Sequence, residues 1–215
     1  MKSDPESESE SELKMPSVFV LKPGSIKRDE CGRILDARST VSLIISGGHK
    51  IIVDSGLVGE EGGIRRALAG LKVEPEEVDL LVNTHSHPDH CGDKCLFSMA
   101  KVLAPKDGET ISPGVRVMAT PGHSMDSISI VVEAGLTIVI AGDALPTLGN
   151  FLKMVPPALQ TDRAMAEASL KKILEIADLV VPGHDFPFYV HQAVDVSLPG
   201  PIGYDYQSAG CRRHN

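Results

Sequence analysis

The segment Thr84-His85-Ser86-His87-Pro88-Asp89-His90 directly follows an apolar, strand-like run from Val78 to Asn83, and it restricts the fold of this chain more than any other stretch. In an extended chain alternate side chains point the same way, so His85 and His87 can grip one cation together. Pro88 biases His87 towards the extended region and helps to hold that geometry. Asp89 and His90 are adjacent and diverge, which suits a second cation on the other side. Such a loop works only when a rigid sheet braces it, so the fold has to deliver strand ends that converge.

Three further candidate ligands each end an expected strand and each follow a glycine. They are His123 in Thr120-Pro121-Gly122-His123, Asp143 in Ala141-Gly142-Asp143, and His184 in Pro182-Gly183-His184. Glycine permits the tight turns and close backbone approach that a metal loop needs. Only His49, His191 and His214 of the eight histidines fall outside this set.

The remaining pattern supplies the sheets. Strands are expected at Ser17 to Lys22, Thr40 to Ser46, Lys50 to Asp54, Lys101 to Ala104, Val115 to Ala119, Ser127 to Glu133, Leu136 to Ala141 and Leu179 to Pro182. Gly47-Gly48 is a two-residue turn signal that makes the second and third of these a hairpin. Most of the runs are nearly continuous in apolar residues, as strands covered on both faces are. Ile64, Leu68 and Leu71 mark one helix face, and Ala166, Leu170, Ile173, Leu174 and Ala177 another from about Thr161. Sheets with helices packed over them give a layered α/β architecture.

Composition narrows the class. The chain has 215 residues and a net charge of −8, which disfavours broad nucleic-acid binding because that needs a basic face. Lys27-Arg28, Arg65-Arg66 and Lys171-Lys172 are the basic doublets that could form a local groove. No apolar run is long enough to span a membrane, and the start lacks a signal-peptide pattern. Cys31, Cys91, Cys95 and Cys211 are expected as reduced thiols, the middle two buried, which suits a cytoplasmic protein. Residues 1–16 are expected to be a disordered acidic tail, 17–195 one domain, and 196–215 an irregular Gly/Pro-rich tail that could pair with a second copy.

The ordered series His85-x-His87-x-Asp89-His90, His123, Asp143 and His184 resembles the motif set of the metallo-β-lactamase fold hydrolases. Val53-Asp54-Ser55-Gly56 is similar to the first of that superfamily's motifs. The resemblance implies a four-layer αββα sandwich. It implies that His85, His87 and His123 bind one metal, that Asp89, His90 and His184 bind the other, and that Asp143 bridges them. The set is similar to that of glyoxalase II rather than of the lactamases proper. The stretch after His184 is too short for glyoxalase II's helical glutathione-binding domain.

The donor chemistry supports this independently. Imidazole and carboxylate ligands suit zinc, with iron or manganese as alternatives. Two cations ~3.5–4 Å apart can share a hydroxide and hold the attacked oxygen. Asp89 is the candidate catalytic residue, because a ligating carboxylate keeps a second oxygen free to orient the hydroxide. Asp54 and Thr84 suit partners that fix ring orientation, although a turn-capping role fits Asp54 equally well. The segment Leu145 to Leu159 can wall a substrate pocket or pack in the core, and His191 belongs at the surface. The expected function is cleavage of an ester, thioester or lactone of a small molecule. The alternative is hydrolysis of a phosphodiester, single-stranded nucleic acid included; a metal scaffold or diiron redox centre is the third class.

Overall fold

In the strands of this protein successive apolar side chains go to opposite sides, and each side meets a different layer. The computed structural model describes residues 15–191, so the tails expected at 1–16 and 196–215 lie essentially outside the described residues, as do Cys211 and His214.

The chain opens with β1 (Ser17–Lys22), a hairpin of β2 (Ser25–Arg28) and β3 (Ile34–Arg38), then β4 (Val41–Ser46), β5 (His49–Val53), helix α1 (Glu61–Gly70) and β6 (Leu80–Val82). The helical turn α2 (Pro88–Cys91) and strand β7 (Lys101–Leu103) complete the first half. The second half runs β8 (Thr110–Ser112), β9 (Val115–Ala119), β10 (Ile128–Glu133), β11 (Thr137–Gly142), α3 (Leu148–Lys153), α4 (Arg163–Ile176), β12 (Leu179–Pro182) and β13 (Phe188–Tyr189). One sheet has the order β1-β4-β5-β6-β7 and the other β13-β12-β11-β10-β9-β8.

Three apolar clusters define four layers. Ile44, Ile51, Val53 and Val82 of the first sheet meet Val117, Ile130, Ile140 and Val181 of the second in a core between the sheets. Their strand neighbours Leu43, Ile52 and Leu81 face the other way, onto Ile64 and Leu68 of α1 and onto Phe97. Val131, Val139 and Val180 likewise face outward onto Leu170 and Ile173 of α4. The result is the expected αββα sandwich. Asp162 starts α4 by accepting a 2.9 Å bond from Met165 N–H, which satisfies an otherwise unpaired helix-end donor.

The β4–β5 hairpin turns at Gly47 and Gly48 as expected. The β2–β3 hairpin, β8, β13, α2 and α3 are additions to the sequence reading. β2 is mostly polar and exposed, and β3 mixes apolar and charged residues at half-buried positions, so no apolar alternation announces them. Cys95 is exposed and Cys91 half-buried, which corrects the expectation of two buried thiols.

The parallel pairs fix the site. β5 and β6 run parallel, as do β11 and β12, so the chain leaves all four strands at the same end of the sandwich. Asp54, Thr84, Asp143 and His184 follow those ends. The two sheets touch there, where Ile128 N–H donates to Thr84 O at 2.8 Å.

Candidate metal centre

Seven side chains converge at this end. His85, His87 and His123 place one donor atom each within 4.8 Å of one another, and Asp89, His90 and His184 do the same. His87 Nδ1 lies 3.0 Å from both His85 Nε2 and His123 Nε2. His184 Nε2 is 3.5 Å from Asp89 Oδ2, and His90 Nε2 is 3.8 Å from it. Asp143 reaches both groups: Oδ2 is 3.3 Å from His123 Nε2, while Oδ1 is 3.3 Å from His90 Nε2 and 3.1 Å from His184 Nε2.

The backbone explains the convergence. The chain stays extended through His87, with ψ 146°, and then Pro88 opens α2. Adjacent residues on a helical turn lie about 100° apart instead of opposed. Asp89 and His90 therefore close on His184 together and do not face different ways, which corrects the expected divergence. His90 also lies within reach of His85 and Asp143, so the two groups are contiguous.

Glycine is required at two of the junctions. A Cβ on Gly183 would collide with Asp143 Oδ1, and Gly142 has φ 52° with Thr84 packed against it. Only a residue without a side chain lets these loops approach so closely.

Four of the five imidazoles are oriented by their outer nitrogen. His90 Nδ1 donates to Asp54 Oδ2 at 2.8 Å, His123 Nδ1 to Leu159 O at 2.7 Å, and His184 Nδ1 to Arg38 O at 2.9 Å. His85 Nδ1 lies 3.2 Å from Thr84 Oγ1, whose own hydroxyl donates to Asp54 Oδ2 at 2.9 Å. Each contact keeps a proton on Nδ1 and turns Nε2 towards the centre, so that the neutral ring offers Nε2 as its donor atom. Asp54 and Thr84 are thus ring-orienting partners, as one of the two readings of Asp54 had it. The carbonyls of Arg38 and Leu159 were not legible in the sequence, because backbone oxygens carry no residue signature.

Electrostatics separates the rings. Burial pushes His85 down to about 3, reinforced by the neighbouring His90, so its imidazole is neutral. Burial also works against charge on His90, but the Asp54 and Asp143 carboxylates outweigh it and hold His90 well above the ordinary histidine value. His184 is raised in the same way, burial being overcome by its hydrogen bond to Asp143 and that residue's charge. Asp143 resists its own burial through its hydrogen bond with His184 and the close approach of the His90 and His184 rings, and sits well below the carboxylate range.

The donor set fits divalent cations. His90 Nε2 and Asp143 Oδ1 are fully buried, and neither has an aligned hydrogen-bond partner although they are 3.3 Å apart. Buried polar atoms are rarely left unpaired in a folded protein. Donors that converge without pointing at one another share a target between them, and imidazole nitrogen with carboxylate oxygen is a set for zinc or a similar metal.

The remaining candidates are peripheral. Leu145 is buried, but Leu148, Leu152, Met154 and Leu159 are exposed, so most of this segment is not core. His191 is exposed as expected. No helix among the described residues is long and apolar enough to cross a membrane.

Fold and site together define a metal-dependent hydrolase built on an αββα sandwich. The family model for the metallo-beta-lactamase superfamily matches residues 35–93. Metallo-beta-lactamase domain-containing protein 1 of Mus musculus is 34% identical over an alignment covering 81% of this chain and 84% of the mouse protein. A Methanocaldococcus jannaschii protein named "Probable metallo-hydrolase MJ0296" is 35% identical over 63% of this chain and 70% of its own length. An N-acyl homoserine lactone hydrolase crystallised with N-hexanoyl-L-homoserine superposes with a TM-score of 0.61 at 20% identity, over 80% of this chain and 94% of that one. The chain belongs to the metallo-beta-lactamase superfamily.

Proposed function

We propose that this protein hydrolyses an ester, thioester or lactone bond of a small molecule at a pair of divalent cations. His85, His87 and His123 would hold one ion, Asp89, His90 and His184 the other, and Asp143 would lie between them. Zinc matches the donors best, with iron and manganese as alternatives. The observation that carries the reading is the position of Asp143 between the two groups: its carboxylate lies 3.3 Å from His123 on one side and 3.1 Å from His184 and 3.3 Å from His90 on the other.

When bound, such a pair of ions lowers the pKa of an attacking water and draws charge from the attacked carbonyl oxygen. The chain's own residues do the rest. Asp89 is the catalytic residue: it is half-exposed, Oδ2 is turned towards His184, and Oδ1 is left to accept a hydrogen bond from the water and aim it. The water oxygen bonds to the acyl carbon, the acyl–oxygen or acyl–sulfur bond breaks, and the water's proton leaves with the alcohol or thiol. Thr84 and Asp54 keep His85 and His90 in the tautomers this arrangement needs.

The surroundings favour a small acyl compound. Leu159, whose carbonyl holds His123, is exposed, and Leu148, whose N–H donates to Asp185 Oδ2 at 3.1 Å beside His184, lies at the surface as well. Exposed apolar residues whose backbones bond at the edge of the centre suit an acyl group better than a charged phosphate backbone.

The test is a substrate panel. Protein reconstituted with zinc, and separately with iron and manganese, is assayed on p-nitrophenyl esters, thioesters, lactones and bis-p-nitrophenyl phosphate. Turnover of the acyl compounds above the phosphodiester is expected. Turnover confined to the phosphodiester would overturn the proposal in favour of a nuclease-like activity.

A further inference from the structure

Glu60 lies outside the seven converging side chains, yet its carboxylate is only 7% exposed and is surrounded by partners. Lys22 Nζ donates to both of its oxygens at 2.9 Å, Arg38 Nη1 donates to Oε1 at 3.3 Å, and Leu57 N–H donates to Oε2 at 2.9 Å. Its own N–H donates to Asp93 Oδ2 at 3.0 Å.

Leu57 and Arg38 belong to two arms of the site, while Lys22 ends β1 and Asp93 follows α2. One arm is the loop from Asp54 to Glu60, bound to the α2 segment by Ser55 N–H to His90 O at 2.7 Å and by Gly92 N–H to Gly56 O at 2.8 Å. That arm carries the Asp54 carboxylate that holds His90. The other arm is the end of β3, where Arg38 O holds His184 and Thr40 is stitched to the next loop, its N–H to Gly183 O and its hydroxyl to Pro182 O, both at 2.7 Å. Glu60 is the side chain that joins the arms. The partners of its carboxylate, Lys22, Arg38 and Leu57, lie on β1, β3 and the Asp54 loop, none of which carries His85, His87 or His123.

We infer that Glu60 is a positioning residue for one half of the metal centre: by tying Arg38 to the Asp54 loop it sets the spacing of His90 and His184, and so the affinity of the site they share with Asp89. This inference rests on the two-ion reading above. A charged network of this kind orients its members because each is held from several sides, whereas an isolated surface pair contributes little. Asp36, which accepts from Arg38 Nε at 3.0 Å, completes the clamp on the guanidinium.

The test is a titration of the metal-free protein with zinc in competition with a chromophoric chelator, which resolves the two binding steps without any assay of activity. Glu60→Gln keeps an oxygen for Leu57 N–H and removes the charge that holds Lys22 and Arg38. One step should weaken roughly tenfold, the range seen when outer partners of metal ligands are changed, and the other should stay as it was. Asp89→Asn, which changes a donor of the His90 and His184 group alone, should weaken the same step, which identifies it. Arg38→Met, a gentler change that spares Glu60's bond to Lys22, should reproduce the effect, and the double variant should lose little more than either single one. Equal weakening of both steps, or of neither, overturns the inference while leaving two-ion binding intact. A wild-type protein that takes up fewer than two ions defeats the underlying reading itself.

Discussion

Asp54 holds a left-handed backbone, with φ 60°, while its Oδ2 accepts a 2.8 Å hydrogen bond from His90 Nδ1. A non-glycine residue in that region is uncommon and is retained where the surroundings demand it. Here the same carboxylate also accepts the Thr84 N–H at 2.7 Å and the Thr84 hydroxyl, so it locks the start of the histidine loop and one of its rings at once.

Asp54→Asn tests that lock with little backbone penalty, since asparagine tolerates the left-handed region. Its amide presents a donor where His90 Nδ1–H needs an acceptor, which favours the tautomer with its proton on Nε2. Metal affinity should fall roughly 10–100-fold. Equilibrium dialysis against zinc measures it; an unchanged affinity would remove Asp54 from the orienting role.

Metal uptake should release protons near neutral pH. His90 and His184 are raised and so hold their protons to higher pH than a free imidazole in the metal-free chain, whereas His85, at about 3, contributes none. The raised rings are protonated more completely as pH falls and the proton competes with the metal, so affinity should drop with acidification and recover as pH rises. Calorimetry in two buffers of different ionisation enthalpy should give different apparent heats. Identical heats would contradict the assignment of those protons.

Gly183→Ala probes the closest approach in the site. The added methyl group would collide with Asp143 Oδ1, and relief requires either the carboxylate or the Gly142 turn to move. Stability should fall by about 1–3 kcal/mol, the usual cost of overpacking, and zinc content should fall with it. Chemical denaturation of the metal-free variant separates the two effects. A variant as stable and as metal-rich as the parent would show that the turn has slack.

The layered core was legible because buried strands announce themselves twice, through apolar continuity and through length. Ile51, Ile52 and Val53 alternate between two different cores, and nothing but a strand covered on both faces needs that pattern. The candidate ligands were legible as well, since imidazoles and carboxylates at strand ends have few other reasons to cluster. What the residue string hides is whatever depends on backbone or on distant pairing. The carbonyls of Arg38 and Leu159 orient two rings, yet any residue type offers the same oxygen. The turn at Pro88 that brings Asp89 and His90 together lasts four residues, too few for a helical period. Glu60 sits 22 positions from Arg38 and 38 from Lys22, a distance across which no local pattern operates.

If the Asp143 carboxylate ties two metal-binding groups into a single centre, its loss has to change how many ions the protein holds. The most direct test is the metal-to-protein ratio, by inductively coupled plasma mass spectrometry, of wild type and Asp143→Ala after saturation with zinc and removal of the excess. A ratio near two is expected for the parent and one or less for the variant, because loss of Asp143 leaves each group short of a donor. A parent ratio of one or less, or a variant that still holds two ions, would contradict that role of Asp143.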